Sequence, residues 1–182
     1  MLLDTPICDF GWQAPDFELK DPEGNNHVMS SYLGEKGLLI TFICNHCPYV
    51  QAIAERFSND AKELQRVGIN VLAIMSNDYL SFPADSPEHM KLFSDQYDFS
   101  FPYLIDESQL VAKKYSAICT PDFFGLNGHG ELQYRGRLDN LHMNNTGERE
   151  KELINAMLQI AETGHGPKQQ EPSMGCSIKW RR

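Results

Sequence analysis

The chain has 182 residues, and 25 acidic side chains against 16 basic ones give it a formal net charge of −9 at pH 7. This length is sufficient for a single domain, residues 1–182, with a well-buried core. The charge argues against nucleic acid as a partner, because no basic block is present to neutralise phosphates. Neither a membrane-spanning apolar run nor a secretory signal pattern is found. We therefore expect a cytoplasmic protein with no membrane partner, whose thiols are kept reduced.

Residues 1–37 are predicted to form an N-terminal extension ahead of the central fold. Residues 14–19 alternate apolar and polar side chains, as a half-exposed strand does. Residues 21–25 have the composition of a turn, and residues 27–29 can return as a second strand. The extension is therefore expected to contain a β-hairpin.

Residues 38–43 form an unbroken apolar run, which predicts a strand buried on both faces. A Cys-Asn-His-Cys-Pro turn follows at residues 44–48, and apolar residues then recur at helical spacing. This order places Cys44 and Cys47 between a strand and the first turn of a helix. Unpaired N–H groups and the helix dipole favour a thiolate there, and a charged His46 would add to this effect. The pattern predicts a redox-active pair.

A metal site is the alternative interpretation of the same turn. Structural zinc takes four ligands, which usually include a second close pair of cysteines. The remaining cysteines, Cys8, Cys119 and Cys176, are scattered singly. What stays open is a soft-metal site, for example a copper carrier, formed by the two close cysteines and His46. No cofactor is predicted otherwise.

The rest of the chain alternates predicted strands and helices. Strands are expected at residues 69–75, 101–105, 122–126 and 131–135, and helices at about 47–67, from 86 onward, around 109–115 and over 153–161. Residues 127–130 are glycine-rich and predict a hairpin loop. Asn145 and Glu148 resemble a capping box for the last helix. Residues 165–182 form a C-terminal tail, and the whole order predicts one α/β domain.

The sequence resembles a bacterial branch of the AhpC/TSA–redoxin group, whose relatives include peroxiredoxin-like and TlpA-like proteins of the thioredoxin superfamily. The segments that carry the resemblance are Phe42–Val50, Ser76–Met90, Phe101–Phe124, Tyr134–Asp139 and Pro172–Trp180. The resemblance implies a thioredoxin-like fold. In that fold helices flank a central mixed sheet, here with an N-terminal β-hairpin extension and a C-terminal tail. It implies thiol chemistry but no particular substrate.

Thr120–Pro121 resembles the proline loop of that superfamily. In such proteins a cis-proline lies against the Cys-x-x-Cys pair, and the backbone of the preceding residue pairs with an extended substrate. The resemblance therefore implies that Thr120 and Pro121 bind substrate, with a cis bond between them. A trans proline that opens an edge strand is the structural alternative.

Two features depart from the patterns of these relatives. A proton-shuttling carboxylate is missing, because Leu38 and Val50 stand at the corresponding positions, so His46 or a carboxylate from elsewhere must replace it. The peroxidase motif Pro-x-x-x-Thr-x-x-Cys is matched by Thr41 and the first cysteine, but Gly37 stands in place of the proline.

The arginine that activates peroxide in peroxidases is expected near residues 117–121, and none is present there. Arg135 or Arg137 could reach the site from the next strand, although solvated surface arginines are the simpler interpretation. Cys119 is either a thiol facing the redox pair or a buried small hydrophobe. Cys176 would be a third redox thiol if its tail, which contains Ile178 and Trp180, docks near Cys44.

The favoured function is a thiol–disulfide oxidoreductase. Cys44, expected to be the more exposed sulfur, would attack a disulfide as a thiolate stabilised by His46, and Cys47 would resolve the mixed disulfide. Expected partners are protein or low-molecular-weight disulfides and a thiol reductant such as a thioredoxin system. The alternatives are the metal-binding module and a peroxiredoxin-like antioxidant peroxidase. In the peroxidase, Cys47 or Cys176 would resolve a sulfenic acid formed from peroxide.

Overall fold

The computed structural model describes residues 1–182. Its strands are β1 (Leu2–Asp4), β2 (Glu18–Lys20), β3 (Asn26–Val28), β4 (Leu38–Phe42), β5 (Asn70–Met75), β6 (Tyr103–Ile105), β7 (Cys119–Thr120), β8 (Asp122–Leu126), β9 (Leu132–Tyr134) and β10 (Met174–Ser177). Its helices are α1 (Pro48–Arg66), α2 (Pro87–Gln96), α3 (Leu110–Lys114) and α4 (Glu152–Thr163), and short 3-10 turns lie at Met29–Ser31 and Pro83–Asp85. None of the helices is both long and apolar enough to cross a membrane.

Seven strands form a mixed central sheet in the order β3-β2-β6-β5-β4-β8-β9. Strand β4 runs parallel to β5 and antiparallel to β8, so it lies inside the sheet, and all five of its residues are buried. This explains its unbroken apolar sequence, because helices and loops cover both faces of the sheet. The predicted mixed sheet, the β2–β3 hairpin and the β8–β9 hairpin are confirmed.

Apolar cores lie on both faces of the central sheet. One is built on α1, α2 and α4, and the other lies beneath the N-terminal segment and α3. Phe57 shows how tightly the first is packed, since its ring centroid lies 5.1 Å from that of Phe101 and 5.4 Å from that of Phe123. Truncating such a side chain to alanine costs about 3–5 kcal/mol of stability. The first core also packs against the redox turn and therefore holds it in place.

The C-terminal tail forms part of a second sheet, in the order β1-β10-β7, which the sequence did not predict. Strand β10 pairs antiparallel with β1 on one side and with β7 on the other. Beyond it, Ile178 is buried, as expected for docking. Trp180 is 39% exposed, and Lys113 Nζ lies over its indole ring, 5.7 Å from the ring centroid. The second sheet places the tail directly beside the proline loop.

The predicted capping box is wrong. Helix α4 begins at Glu152, and Asn145 and Glu148 lie in the preceding loop. The loop is held by ionic contacts instead, because Asp139 accepts hydrogen bonds from the Nε atoms of Arg56, at 2.8 Å, and of Arg149, at 2.6 Å. These long-range contacts tie the loop to α1, and the local motif at residues 145–148 does not begin the helix.

Candidate active site

The redox turn is clamped from both sides by buried polar groups. Asn45 donates its backbone N–H to Asp85 Oδ1 at 2.8 Å and accepts a hydrogen bond from the Tyr103 hydroxyl at 2.8 Å. Cys47 is the N-terminal capping residue of α1, and Pro48 follows in the first turn, where its missing N–H costs nothing. The strand–turn–helix arrangement predicted for this segment is therefore confirmed.

Both cysteines of the turn contact Thr120. Cys44 Sγ lies 3.4 Å from Thr120 Oγ1, and Cys47 Sγ lies 3.3 Å from the Thr120 carbonyl oxygen. The Thr120–Pro121 bond is cis, as predicted. Cys44 was expected to be the more exposed sulfur, but both cysteines are buried, since Cys44 and Cys47 are only 1% and 0% exposed. They are covered in part because the edge predicted to receive substrate is occupied: the Thr120 backbone pairs with Cys176 of the same chain.

The two sulfurs differ in acidity. The hydrogen bond from the Cys44 thiol is the largest cause that lowers the pKa of Cys47 to about 4, and Cys176 and the Val50 N–H add to it against the cost of burial. The pKa of Cys44 is raised, first by that same hydrogen bond, then by burial and by the negative charge of Asp85. The structure therefore favours Cys47, at the start of α1, as the first cysteine to ionise. The sequence had predicted this role for Cys44.

His46 and Asp85 form an ion pair beside the sulfurs. His46 Nδ1 lies 2.6 Å from Asp85 Oδ2, and the imidazole stacks on the ring of Phe82 at 5.8 Å. The hydrogen bond to Asp85 raises the pKa of His46. Burial alone would raise the pKa of Asp85, but hydrogen bonds from His46 and Asn77 lower it overall. The positive charge of His46 is therefore directed at Asp85, which explains why it does not stabilise a Cys44 thiolate as expected.

The groups predicted for peroxide activation do not come together at Cys44. Thr41 is buried, and its Oγ1 has no hydrogen-bond partner, so it makes no hydrogen bond to the Cys44 sulfur. Arg135 is buried and holds Asp122 through two hydrogen bonds, at 2.8 Å and 3.2 Å, which corrects the prediction of a solvated side chain. Arg137 is paired with Glu152.

The two remaining candidate thiols have different surroundings. Cys119 is fully buried, and burial raises its pKa to about 12, which keeps it a thiol at neutral pH. Cys176 is half-buried, lies opposite Thr120 in the second sheet, and packs against the core that contains Cys44 and Cys47. The tail therefore docks beside the cysteine pair, and Cys176 helps to lower the pKa of Cys47.

Residues 10–135 match the AhpC/TSA family. The chain belongs to this family. It is 30% identical over 125 residues to the thioredoxin-like protein YneN of Bacillus subtilis, a match that covers 68% of each chain. It is 27% identical over 123 residues to the thiol-disulfide oxidoreductase ResA of Geobacillus kaustophilus, covering 68% of this chain and 66% of ResA.

A crystal structure of an uncharacterized conserved protein from Geobacillus kaustophilus superposes on this AhpC/TSA chain with a TM-score of 0.92 and 38% identity. The match covers 100% of this chain and 97% of the other. The matches confirm the predicted family, the thioredoxin-like fold and the general prediction of an oxidoreductase.

A cluster of possible metal ligands exists in this AhpC/TSA chain. One donor atom from each of Cys44, His46 and Asp85 lies within 4.8 Å of the others. Both Asp85 oxygens already accept hydrogen bonds, from the backbone N–H groups of the turn, from the His46 ring and from Asn77. A metal ion here would have to replace several of these bonds, so the donor set fits a proton-handling pair better than a metal site.

The sequence analysis missed Asp85, which lies between the strand predicted at residues 69–75 and the helix predicted from residue 86. The residue lies inside the Ser76–Met90 segment of the family resemblance, directly before the Ser86–Pro87 helix start. A carboxylate at that position is the signal that could have found it, because the proton-shuttling carboxylate of the relatives was known to be missing.

Proposed function

We propose that this chain is a thiol–disulfide oxidoreductase that cycles Cys44 and Cys47 between dithiol and disulfide. The observation that supports this most directly is the placement of both sulfurs against Thr120, beside a cis-proline and at the end of the central strand β4. A dithiol in a helix-start turn with a lowered pKa is the arrangement that thiol–disulfide exchange requires.

In the oxidising direction, a substrate thiolate attacks Cys44 in the Cys44–Cys47 disulfide. A bond forms between the substrate sulfur and Cys44, and Cys47 leaves as a thiolate. A low pKa makes Cys47 a good leaving group. A second substrate thiolate then attacks the substrate sulfur and releases Cys44. The substrate loses two electrons and gains a disulfide, and the enzyme pair gains the two electrons.

His46 supplies the proton that Cys44 needs when it is released. Its ring lies within 4.8 Å of the Cys44 sulfur, and Asp85 keeps the pKa of the ring raised, so the imidazolium is available near neutral pH. The His46 side chain is 28% exposed, which also makes its side of the turn the route by which a substrate sulfur approaches. His46 and Asp85 together replace the missing carboxylate of the relatives.

The proposed substrates are protein or low-molecular-weight thiols and disulfides, with a cellular thiol system as the recycling partner. Stabilising the Cys47 thiolate stabilises the reduced pair, which makes the disulfide more oxidising. The cytoplasmic location stays a prediction from the sequence. Fractionation of the source cells, followed by detection of the chain, tests it.

Exchange assays on two single-cysteine variants test the proposed function. Cys44→Ser should abolish reduction of insulin disulfides, because no sulfur remains at the position that forms the mixed disulfide. Cys47→Ser should instead trap mixed disulfides on Cys44, visible as a mass increase that dithiothreitol reverses. Cys8→Ser is the matched control and should retain activity. Full activity of Cys44→Ser contradicts the proposal.

A further inference from the structure

Strand β10 occupies the edge at which an extended substrate was expected to pair. It runs antiparallel to β7, with Cys176 opposite Thr120 and Ser177 opposite Cys119. Thr120 is the residue that contacts both sulfurs of the pair. The chain therefore places one of its own cysteines, in extended conformation, beside the redox turn.

The docking of β10 depends on a glycine. A Cβ atom at Gly175 would lie 1.8 Å from the Thr120 carbonyl oxygen and 3.1 Å from Pro121 Cδ, so no other residue fits without moving the strand. Ser173 Oγ donates to the Pro121 carbonyl oxygen at 2.7 Å, and the Ile178 N–H donates to the Ile118 carbonyl oxygen at 2.9 Å. Contacts on both sides of Cys176 thus hold the strand against the proline loop.

Cys176 itself faces the pair. It packs against the apolar core that contains Cys44 and Cys47. It lies opposite Thr120, whose carbonyl oxygen accepts a hydrogen bond from the Cys47 thiol at 3.3 Å, and its own pKa is raised to about 11, first by burial and then by Cys47. Cys47 is therefore the middle sulfur of three, with Cys44 on one side and Cys176 on the other.

We propose that Cys176 is a resident exchange partner that accepts the disulfide from the Cys44–Cys47 pair. The Cys176 sulfur, as thiolate, attacks Cys47 in the Cys44–Cys47 disulfide. The Cys47–Cys176 bond forms, the Cys44–Cys47 bond breaks, and Cys44 takes up the electron pair and the proton that Cys176 has lost. The step is an isomerisation with no net oxidation, so it needs no additional oxidant.

This transfer gives the chain two disulfide states with different accessibility. When the disulfide joins Cys47 and Cys176, Cys44 is again a free thiol. This disulfide includes Cys176, which is only half-buried. A recycling thiol can then attack Cys176 while Cys44 stays on the opposite side of Cys47. The role of the transfer in turnover rests on the proposed oxidoreductase function, whereas the disulfide itself can be measured without any substrate.

Disulfide mapping after equilibration with oxidised glutathione tests the transfer. Trypsin releases Cys44 and Cys47 together in residues 37–56, Cys119 in residues 115–135 and Cys176 in residues 169–179, so each linkage has its own mass. In Cys44→Ser, most of the chain should contain a 37–56/169–179 cross-link. In Cys47→Ser this cross-link should be about tenfold rarer, since the sulfur next to Cys176 is gone. The wild-type chain should contain both the internal 37–56 disulfide and the cross-link.

A matched glycine pair tests whether docking of β10 is the cause. Gly175→Ala should reduce the cross-link by about tenfold in the Cys44→Ser background, because the new Cβ pushes β10 off Thr120. Gly34→Ala is the control, because its nearest neighbour would be 3.8 Å away and its backbone does not need a glycine. Urea unfolding monitors the fold of both variants.

The outcomes separate this proposal from the proposed function. An internal 37–56 disulfide with no cross-link in wild type or Cys44→Ser overturns the transfer and leaves the oxidoreductase proposal intact. Absence of both linkages overturns both proposals. An equal cross-link yield in Cys47→Ser overturns the assignment of Cys47 as the middle sulfur.

Discussion

Helix α1 has two buried ionic clusters along its length, and they differ in whether a proton can move. At its N-terminus, Asp85 is 0% exposed and pairs with His46 beside the sulfurs. Two to three turns further on, Asp139 is 2% exposed and holds the guanidinium groups of Arg56 and Arg149. Both carboxylates have a lowered pKa because their partners' attraction outweighs burial.

The two clusters differ because their carboxylates have different cationic partners. An arginine stays charged at every physiological pH, so the Asp139 cluster has a fixed charge and serves to attach the loop 139–149 to α1. Imidazole titrates near neutrality, so in the proposed function the Asp85 cluster passes a proton between His46 and Cys44. Burial alone therefore does not distinguish a structural ion pair from a reactive one, whereas the identity of the cation does.

The largest expected effect is a loss of folding stability when the carboxylate of Asp139 is removed. Asp139→Asn leaves the partly buried guanidinium group of Arg56 without a carboxylate, and leaves that of Arg149 with Asp60 alone. This should lower the free energy of unfolding by about 3 kcal/mol. Urea denaturation measures this. Because the pKa of Asp139 is lowered, its contribution is present above the ordinary carboxyl pKa and is lost as pH falls through the folded value.

Asp98→Asn is the matched control for that measurement. Asp98 also forms an ion pair, with Lys62 at 2.7 Å, but its side chain is 90% exposed. Removing an exposed pair should change the free energy of unfolding by less than about 1 kcal/mol. Equal losses in Asp139→Asn and Asp98→Asn would contradict the structural role of the buried cluster.

Asp85→Asn should change activity more than stability. The amide keeps an acceptor oxygen for the turn but loses the charge that raises the pKa of His46. The pKa of the His46 ring should fall, and exchange at pH 7 should slow by about tenfold, equal to about 1.4 kcal/mol of barrier. Nuclear magnetic resonance titration of the ring and the insulin assay measure the two effects.

Glu88→Gln provides the comparison for Asp85→Asn, because Glu88 is an exposed carboxylate at the start of α2, three residues along the chain. It should leave both the His46 titration and the exchange rate unchanged. If both variants slow exchange equally, the effect comes from general charge near the turn and not from the His46–Asp85 pair.

Much of the fold follows from local sequence patterns. The buried run at residues 38–43, the hairpin signals and the helical spacing after Pro48 each depend on neighbours close in sequence, and each is confirmed. The start of α4 could not be obtained in this way. It follows a loop that Arg56 and Arg149 hold through bonds to Asp139, and Arg56 is far from that loop in sequence.

The candidate site shows the same limit. The two cysteines and the cis bond at Pro121 could be predicted, because motif spacing and a family resemblance point to them. Asp85 reaches His46 across 39 residues, and Cys176 reaches Thr120, beside the cysteine pair, through a second sheet that no periodicity indicates. Such contacts depend on how the loop and the tail pack, and a single sequence does not contain that information in local form.

The smallest expected effect is a shift in the titration of Cys47. The ultraviolet absorbance of the thiolate should titrate with a midpoint of about 4 in the reduced chain and should be lost in Cys47→Ser. Cys176→Ala removes one of the groups that lower this pKa, so the midpoint should rise by about half a unit, about 0.7 kcal/mol. Because the folded pKa lies below the ordinary thiol value of 9.0, the thiolate stabilises the reduced fold most fully above that value, and the effect is lost as pH falls through about 4. An unchanged midpoint would mean that Cys176 does not affect the ionisation of Cys47. Proton transfer at the site would then involve only Cys44, His46 and Cys47.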